Sequence, residues 1–254
     1  MIELPKQKIK AQRVNPRKII LFGKPKIGKT TAIANLENCL ILDLEGGTDY
    51  LDALKIDIID LSNKLEIEPI RALKQVIEQI KEDNKRNGGY VYKYGAIDTV
   101  SILEDMVMPI ACKLYQQTAM GRNWQGTDVT TLPNGAGFQY TRSALWMVLA
   151  ELEECFDTLI ILGHLKDKLV EKDGKEMTER GLDLIGKSAA ILSANVDAIG
   201  YMYREDNKTM VNFQPSETVT CGSRCEHLKN KKIALIESDE SGTLTINWNE
   251  IFIN

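Results

Sequence analysis

The residues with the clearest chemistry run from Gly23 to Thr30, Gly-Lys-Pro-Lys-Ile-Gly-Lys-Thr. They satisfy the phosphate-loop pattern G-x-x-x-x-G-K-[ST] at every required position. Gly23 and Gly28 are expected to adopt backbone angles that a side chain forbids, turning successive N–H groups toward a phosphate. Lys24, Pro25, Lys26 and Ile27 would form the rim of that cradle, and Thr31 would follow it into the next element. A helix opening at Lys29 would add the positive end of its dipole. Lys29 would reach the β- and γ-phosphates of ATP, and the Thr30 hydroxyl would hold Mg²⁺. A glycine turn with an exposed lysine is the bland alternative, but the flanks argue against it. Lys18 to Phe22 is apolar and β-rich, and Thr31 to Leu36 is compatible with a helix.

Hydrolysis of a bound nucleotide needs a second acid near Mg²⁺ and a group that orients or deprotonates water. Three further strand ends supply candidates. Asp98 closes the apolar run Tyr92–Asp98, where a Mg²⁺-facing acid belongs, although Asp is also a good helix N-cap there. Glu45 follows the apolar run Cys39–Leu44 at the carboxyl edge expected to face a ligand crevice. Asp43 competes with it, because strand alternation aims both residues the same way. His164 closes the run Thr158–His164, where a γ-phosphate contact competes with a purely structural role.

These positions require a sheet with its carboxyl ends gathered on one side. Apolar runs of strand length alternate with amphipathic stretches, such as Ile67, Ile70, Leu73, Val76, Ile77 and Ile80 at helical spacing. That alternation predicts an α/β fold with a mostly parallel sheet covered on both faces. Later β-like runs (Ala198–Tyr203, Thr209–Phe213, Ile233–Ile236 and Leu244–Trp248) predict antiparallel strands added at one edge. Ile56–Leu61 also reads as β. Thr99–Thr118 reads as a helix kinked or split by Pro109. Helices are also expected over Phe138–Phe156 and Ala189–Ala194. Met120–Gly137 has no period and reads as a long functional or mobile loop, and Lys166–Gly186 as a charged, glycine-punctuated segment.

The 254 residues, 43% of them apolar, suffice for a full core. No apolar run approaches the ~18 residues needed to span a bilayer, and the N-terminus does not read as a signal peptide. Five scattered cysteines, an odd number, suit a reducing cytoplasm better than a disulfide framework. Cys221, Cys225 and His227 offer three zinc-type ligands without a clear fourth. Net charge is −4, yet residues 1–29 hold nine basic residues and one acid. A basic arm over residues 1–17, ahead of a body over 18–254, suits nucleic acid or the acidic face of a neighbouring copy, or is a solvated leader.

From about Lys18 to about Ile236, the phosphate loop, Glu45, Asp98 and His164, in this order, resemble the RecA-type recombinase core. The resemblance implies a RecA-like P-loop NTPase fold. Ile41-Leu42-Asp43-Leu44-Glu45-Gly46-Gly47-Thr48-Asp49 is similar to the segment bearing that family's catalytic glutamate, which implies that role for Glu45. It implies Mg²⁺ binding by Asp98, from Ala96-Ile97-Asp98-Thr99-Val100, and γ-phosphate sensing by His164, where the family often has glutamine. Arg224 and the run containing Lys229 and Lys231 resemble basic residues that reach a neighbouring subunit's nucleotide, which implies a homo-oligomer; an exposed basic turn is the alternative. Asp49 and Tyr50 fall near the nucleotide base in the family.

Met120–Gly137 and Lys166–Gly186 fall where the family binds DNA. The first contains Arg122 and Trp124, a charge and a stacking ring suited to single strands. The second has five bases (Lys166, Lys168, Lys172, Lys175, Arg180) against six acids (Asp167, Glu171, Asp173, Glu176, Glu179, Asp183), so a solvated hairpin competes with the DNA reading. The chain looks most like compact phage relatives, ATP-binding proteins that anneal or pair single-stranded DNA, with a single-strand DNA-binding protein as a further partner. Two other classes stay open: an ATP-driven assembly or ssDNA-binding module with little hydrolysis, and a P-loop small-molecule kinase.

Overall fold

The computed structural model describes residues 4–172 and 174–253. Residues 4–17 form no helix or strand. Arg13 pairs with Asp157 at 2.6 Å, and Asn15 exchanges two hydrogen bonds with the backbone of Ile253. The first three residues of the basic arm, with Glu3, lie outside the described residues.

The body alternates strand and helix in chain order. It begins β1 (Lys18–Gly23), α1 (Lys29–Ala34), β2 (Cys39–Asp43), β3 (Lys55–Asp57), α2 (Ile58–Leu65), α3 (Pro69–Asn87) and β4 (Tyr94–Asp98). Then come α4 (Val100–Met106), α5 (Met108–Gln116), α6 (Phe138–Glu153), β5 (Thr158–Lys172), β6 (Lys175–Leu182) and α7 (Ser188–Asn195). It closes with β7 (Ala198–Glu205), β8 (Lys208–Asn212), β9 (Gly222–Ser223), β10 (Lys232–Ser238) and β11 (Leu244–Ile246).

The sheet runs β3-β2-β4-β5-β1-β7-β8-β10-β11, with β6 on β5 and β9 on β7. From β3 to β7 the strands are parallel; β8, β10 and β11 add antiparallel at one edge, as the late β-runs predict. The central strands are apolar throughout because both faces are covered. Ile20, Phe22, Leu42, Ile97 and Ile161 face a layer that includes α3, α4 and α6. Ile19, Leu21, Ile41, Ala96 and Ile160 face α1 and the C-terminal segment. There the Trp248 indole N–H donates to the Ala32 carbonyl at 2.8 Å.

Ile56–Leu61 differs from its sequence reading, Met120–Gly137 is more ordered than its reading, and Thr99–Thr118 and Lys166–Gly186 take forms that their readings offered. Ile56–Leu61 is mostly helix: Asp57 accepts from the Asp60 N–H at 2.8 Å and caps α2, so local capping overrides the β preference of the isoleucines. Thr99–Thr118 is two helices that break at Val107, two residues before Pro109, which sits in the first turn of α5. Met120–Gly137 is a packed loop with two 3₁₀ turns, Val129–Thr131 and Pro133–Gly135, and with Val129 and Leu132 buried. Lys166–Gly186 is chiefly a regular hairpin: β5 continues past the core and pairs antiparallel with β6 from Leu165↔Leu182 outward.

Candidate nucleotide-binding site

The loop Gly23–Thr30 leaves β1 and enters α1. Its two glycines serve different ends. Gly28 has φ +101°, a left-handed angle that explains the residue type. Gly23 does not; a Cβ there would stand 2.5 Å from the Met202 carbonyl oxygen, so glycine is required by the close approach of β7. Lys26 takes φ +62° at the exposed rim with Lys24 and Pro25, and Ile27 is half-buried. Lys29 is buried, and its ammonium donates to the carbonyls of Gly23 (3.3 Å) and Lys24 (3.1 Å). Thr30 donates its hydroxyl to Asp98 Oδ2 at 2.6 Å across 68 residues. Thr31 is half-buried on α1.

Parallel register brings the other strand ends to this loop. Gly23 lies level with His164 and Asp43 level with Asp98. The ambiguity between Asp43 and Glu45 is resolved by their bonding. Asp43 is buried and turned back on the chain, accepting from the N–H groups of Glu45, Gly46, Gly47 and Thr48 and from the Thr48 hydroxyl. It builds the turn. Glu45 is carried out of that turn toward the site, where Oε1 accepts from the Thr99 hydroxyl (2.5 Å) and bonds His164 Nε2 (2.8 Å). The other ring nitrogen of His164, Nδ1, is buried without a partner among the described residues.

Electrostatics follow from burial. Burial lowers the Lys29 pKa, opposed by the charges of Asp98 and Glu45. Burial raises the Asp98 carboxyl, opposed by the Thr30 hydrogen bond; Glu45 and Asp43 push it further up and Lys29 pulls it down. A buried ammonium bonded only to carbonyls, next to a carboxylate that is costly to ionise, is a charge set suited to an anion and a cation together. The oxygen donors of Thr30 and Asp98 suit a hard ion such as Mg²⁺, which binds through one or two protein oxygens plus phosphates. The residues present therefore fit Mg²⁺-ATP. No group of three or more His, Cys, Asp or Glu side chains forms a metal cluster among the described residues.

Burial also tends to raise Asp43, but its hydrogen bonds from Thr48, Glu45 and Gly47 prevail and hold the carboxyl below its ordinary value. A depressed folded pKa contributes stability that is present above the unfolded pKa, near 4, and lost as pH falls through the folded value. Asp43→Ala is expected to cost about 2–4 kcal/mol at pH 7, chiefly by orphaning the buried N–H and hydroxyl of Thr48. It should also flatten the stability-versus-pH slope below about pH 4. Urea denaturation from pH 2 to pH 7 measures both; an unchanged acid slope would refute the assignment.

The structure separates other candidates from this cluster. Arg224 bonds the Ala194 carbonyl (2.6 Å) and Asp197 (3.7 Å), and Asp197 donates to the Lys18 carbonyl. Arg224 thus lies at the entry end of β1, opposite the phosphate loop. Lys229 pairs with Glu226, and Lys229 and Lys231 are exposed just before β10. Trp124 is not a free stacking ring: it packs edge-on against Tyr115, centroids 5.3 Å apart, while Arg122 is exposed. Tyr50 is 97% exposed. Cys221 donates to the Gln214 carbonyl and His227 Nε2 meets the Ile251 carbonyl, so the zinc-type residues are spent separately. Asp173 lies outside the described residues.

Two contributors are absent from the sequence reading. Thr99 is a Thr directly after Asp98, and its position beside a metal-type acid is the only signal for it. Thr209 donates to the Ile27 carbonyl (3.1 Å) and pins the loop from β8, 182 positions away, which no local pattern reveals.

Sheet order, the strand-loop-helix at Gly23–Thr30 and the acids at adjacent strand ends define a P-loop α/β fold with a mostly parallel sheet. The AAA domain family model matches residues 15–225, and the chain belongs to that family. No curated protein gives a significant match. Among solved structures, the chain is similar to a RadB recombinase (12% identity, TM-score 0.43, 90% of each chain covered). It is also similar to a KaiC-like protein from the archaeon Pyrococcus horikoshii OT3 (12%, TM-score 0.41, 91% of this chain and 89% of that one). A third is an ATPase of the type III secretion system of pathogenic bacteria (12%, TM-score 0.43, 91% of this chain and 68% of that one). No helix among the described residues is long and apolar enough to cross a membrane.

Proposed function

We propose that this chain is a RecA-type ATPase, stimulated by single-stranded DNA, that acts in phage DNA recombination or single-strand annealing in the host cytoplasm. The observation that carries the reading is the convergence of Lys29, the Thr30–Asp98 pair and the Glu45–His164 pair at one edge of the sheet. Loop N–H groups and Lys29 bind the phosphates; Thr30 and Asp98 hold Mg²⁺, which neutralises phosphate charge when bound. Glu45 orients water and takes its proton as water adds to the γ-phosphorus and the bond to the bridging oxygen breaks. His164 reports the state of the γ-phosphate.

Residues 18–254 form the ATPase body and residues 1–17 its basic arm. Arg224, Lys229 and Lys231 are exposed and remote from their own loop, which suits action in trans on a neighbouring copy. For DNA, the support is the hairpin. Strand alternation sorts its near-balanced charges, with Asp167 and Arg180 opposed on one face (3.5 Å). On the other, Lys166 and Lys168 line a groove of about 480 Å³ against α7, with Glu179, Ser193 and Thr220. A single-strand DNA-binding protein is the further partner of this reading.

The double engagement of Glu45 Oε1 favours one alternative, an assembly module that turns ATP over slowly. Steady-state ATP hydrolysis with and without single-stranded DNA distinguishes them. Stimulation of about fivefold or more is expected, the scale of releasing Glu45 from one hydrogen bond. Negligible turnover with ATP bound and oligomers formed would transfer the reading to the assembly module, and phosphorylation of added nucleosides would transfer it to a kinase.

A further inference from the structure

Helix α4 starts directly after Asp98 and Thr99, and its inner face grips the segment that follows the hairpin. The Ser101 hydroxyl donates to the Asp183 carbonyl at 2.8 Å. Glu104 Oε2 accepts from the Ile185 N–H at 2.8 Å. Asp183 in turn donates its N–H to the His164 carbonyl at 2.9 Å, so one residue joins α4 to the backbone of the histidine that engages Glu45. The same junction is closely packed. A Cβ on Gly163 would stand 2.0 Å from Leu182 Cδ1 and 3.5 Å from Val100 Cγ1, so β5, β6 and α4 meet there without slack.

Glu104 is otherwise unexplained. It is buried, and its Oε1 has no hydrogen-bond partner among the described residues. Burial pushes its carboxyl above the ordinary range, against the Ile185 N–H and the Ser188 side chain. An orphaned buried carboxylate oxygen is a cost that a purely structural tie would avoid.

We propose that Ser101 and Glu104 are positioning residues that clamp the 183–188 connector and thereby hold His164 on Glu45, keeping the hydrolytic carboxylate engaged until the hairpin is displaced. Polyanion in the Lys166/Lys168 groove bears on β6 and the connector, and through Asp183 on His164. Release of the clamp frees Glu45 Oε1 from the imidazole. The inference rests on the hydrolysis reading for its consequence, but the clamp itself is a contact that can be observed without turnover.

The chain has two histidines, so ring ¹⁵N–¹H spectra of the full protein give His164 with His227 as internal reference. In Ser101→Ala and in Glu104→Ala, each of which removes a clamp contact, the His164 ring signals are expected to shift while those of His227 stay in place. DNA-free ATP turnover should rise about fivefold, the shift expected from one lost hydrogen bond, and the ratio of stimulated to basal turnover should fall correspondingly. Ser101→Thr, which keeps the hydroxyl, should restore both. Unmoved His164 signals overturn the proposal, as does a parallel fall in turnover with and without DNA. Shifted ring signals in a protein that hydrolyses no ATP uphold the clamp and sink the hydrolysis reading instead.

Discussion

Glu45→Gln is expected to lower ATP turnover about 10²–10⁴-fold, the range for loss of a positioned general base. Nucleotide affinity should be nearly unchanged, because the substituted group does not touch the phosphate loop. The substitution is close to isosteric, and its amide oxygen can still accept from Thr99 and His164. What is removed is the capacity to take a proton. A fold-level explanation of lost activity is therefore checked by an unchanged melting temperature. Single-turnover hydrolysis alongside equilibrium binding of ATP separates the chemical step from binding. Turnover equal to wild type would take Glu45 out of the mechanism. Asp43, spent on four backbone N–H groups, could not replace it without dismantling its own turn.

Lys29→Ala is expected to weaken ATP binding about 10–150-fold, from losing hydrogen bonds to charged phosphate worth about 1.5–3 kcal/mol. The nucleotide-free protein should not lose stability. Burial already lowers the Lys29 pKa, so the charged ammonium is disfavoured by the fold and its removal relieves that cost. With a folded pKa below the unfolded one, this lysine destabilises wild type at neutral pH. That penalty fades as pH rises through the folded pKa. Thermal melts with and without Mg²⁺-ATP should show an undiminished baseline Tm and a lost nucleotide-induced rise. A full rise in the variant would mean that the loop holds phosphate without its lysine.

The phosphate loop was legible because its chemistry is local. Eight consecutive residues carry the cradle, the cation and the hydroxyl, and the apolar run before them needs only to be a strand. Asp98 was legible for a related reason: a lone acid closing a buried strand is costly unless something uses it. The apolar strands from β1 to β7 and the long amphipathic helix α3 were equally readable, since burial on both faces or on one face writes itself into composition. Composition misled where capping outweighed it: Asp57 converted an isoleucine-rich run into α2. The hairpin that the balanced charges of Lys166–Gly186 offered is the one that β5 and β6 form.

The sequence by itself determined the fold class, the phosphate loop and the short set of acids and histidine able to serve it, because those signals lie within one element or at its end. Only the tertiary structure decided between Asp43 and Glu45, seated His164 on the chosen carboxylate, recruited Thr99 and Thr209, and turned Trp124 inward against Tyr115. Apart from Trp124, whose partner Tyr115 is near in sequence, those outcomes depend on parallel register and on contacts across 54 to 182 residues, where side-chain direction is set by the packing of distant elements and leaves no trace in local spacing.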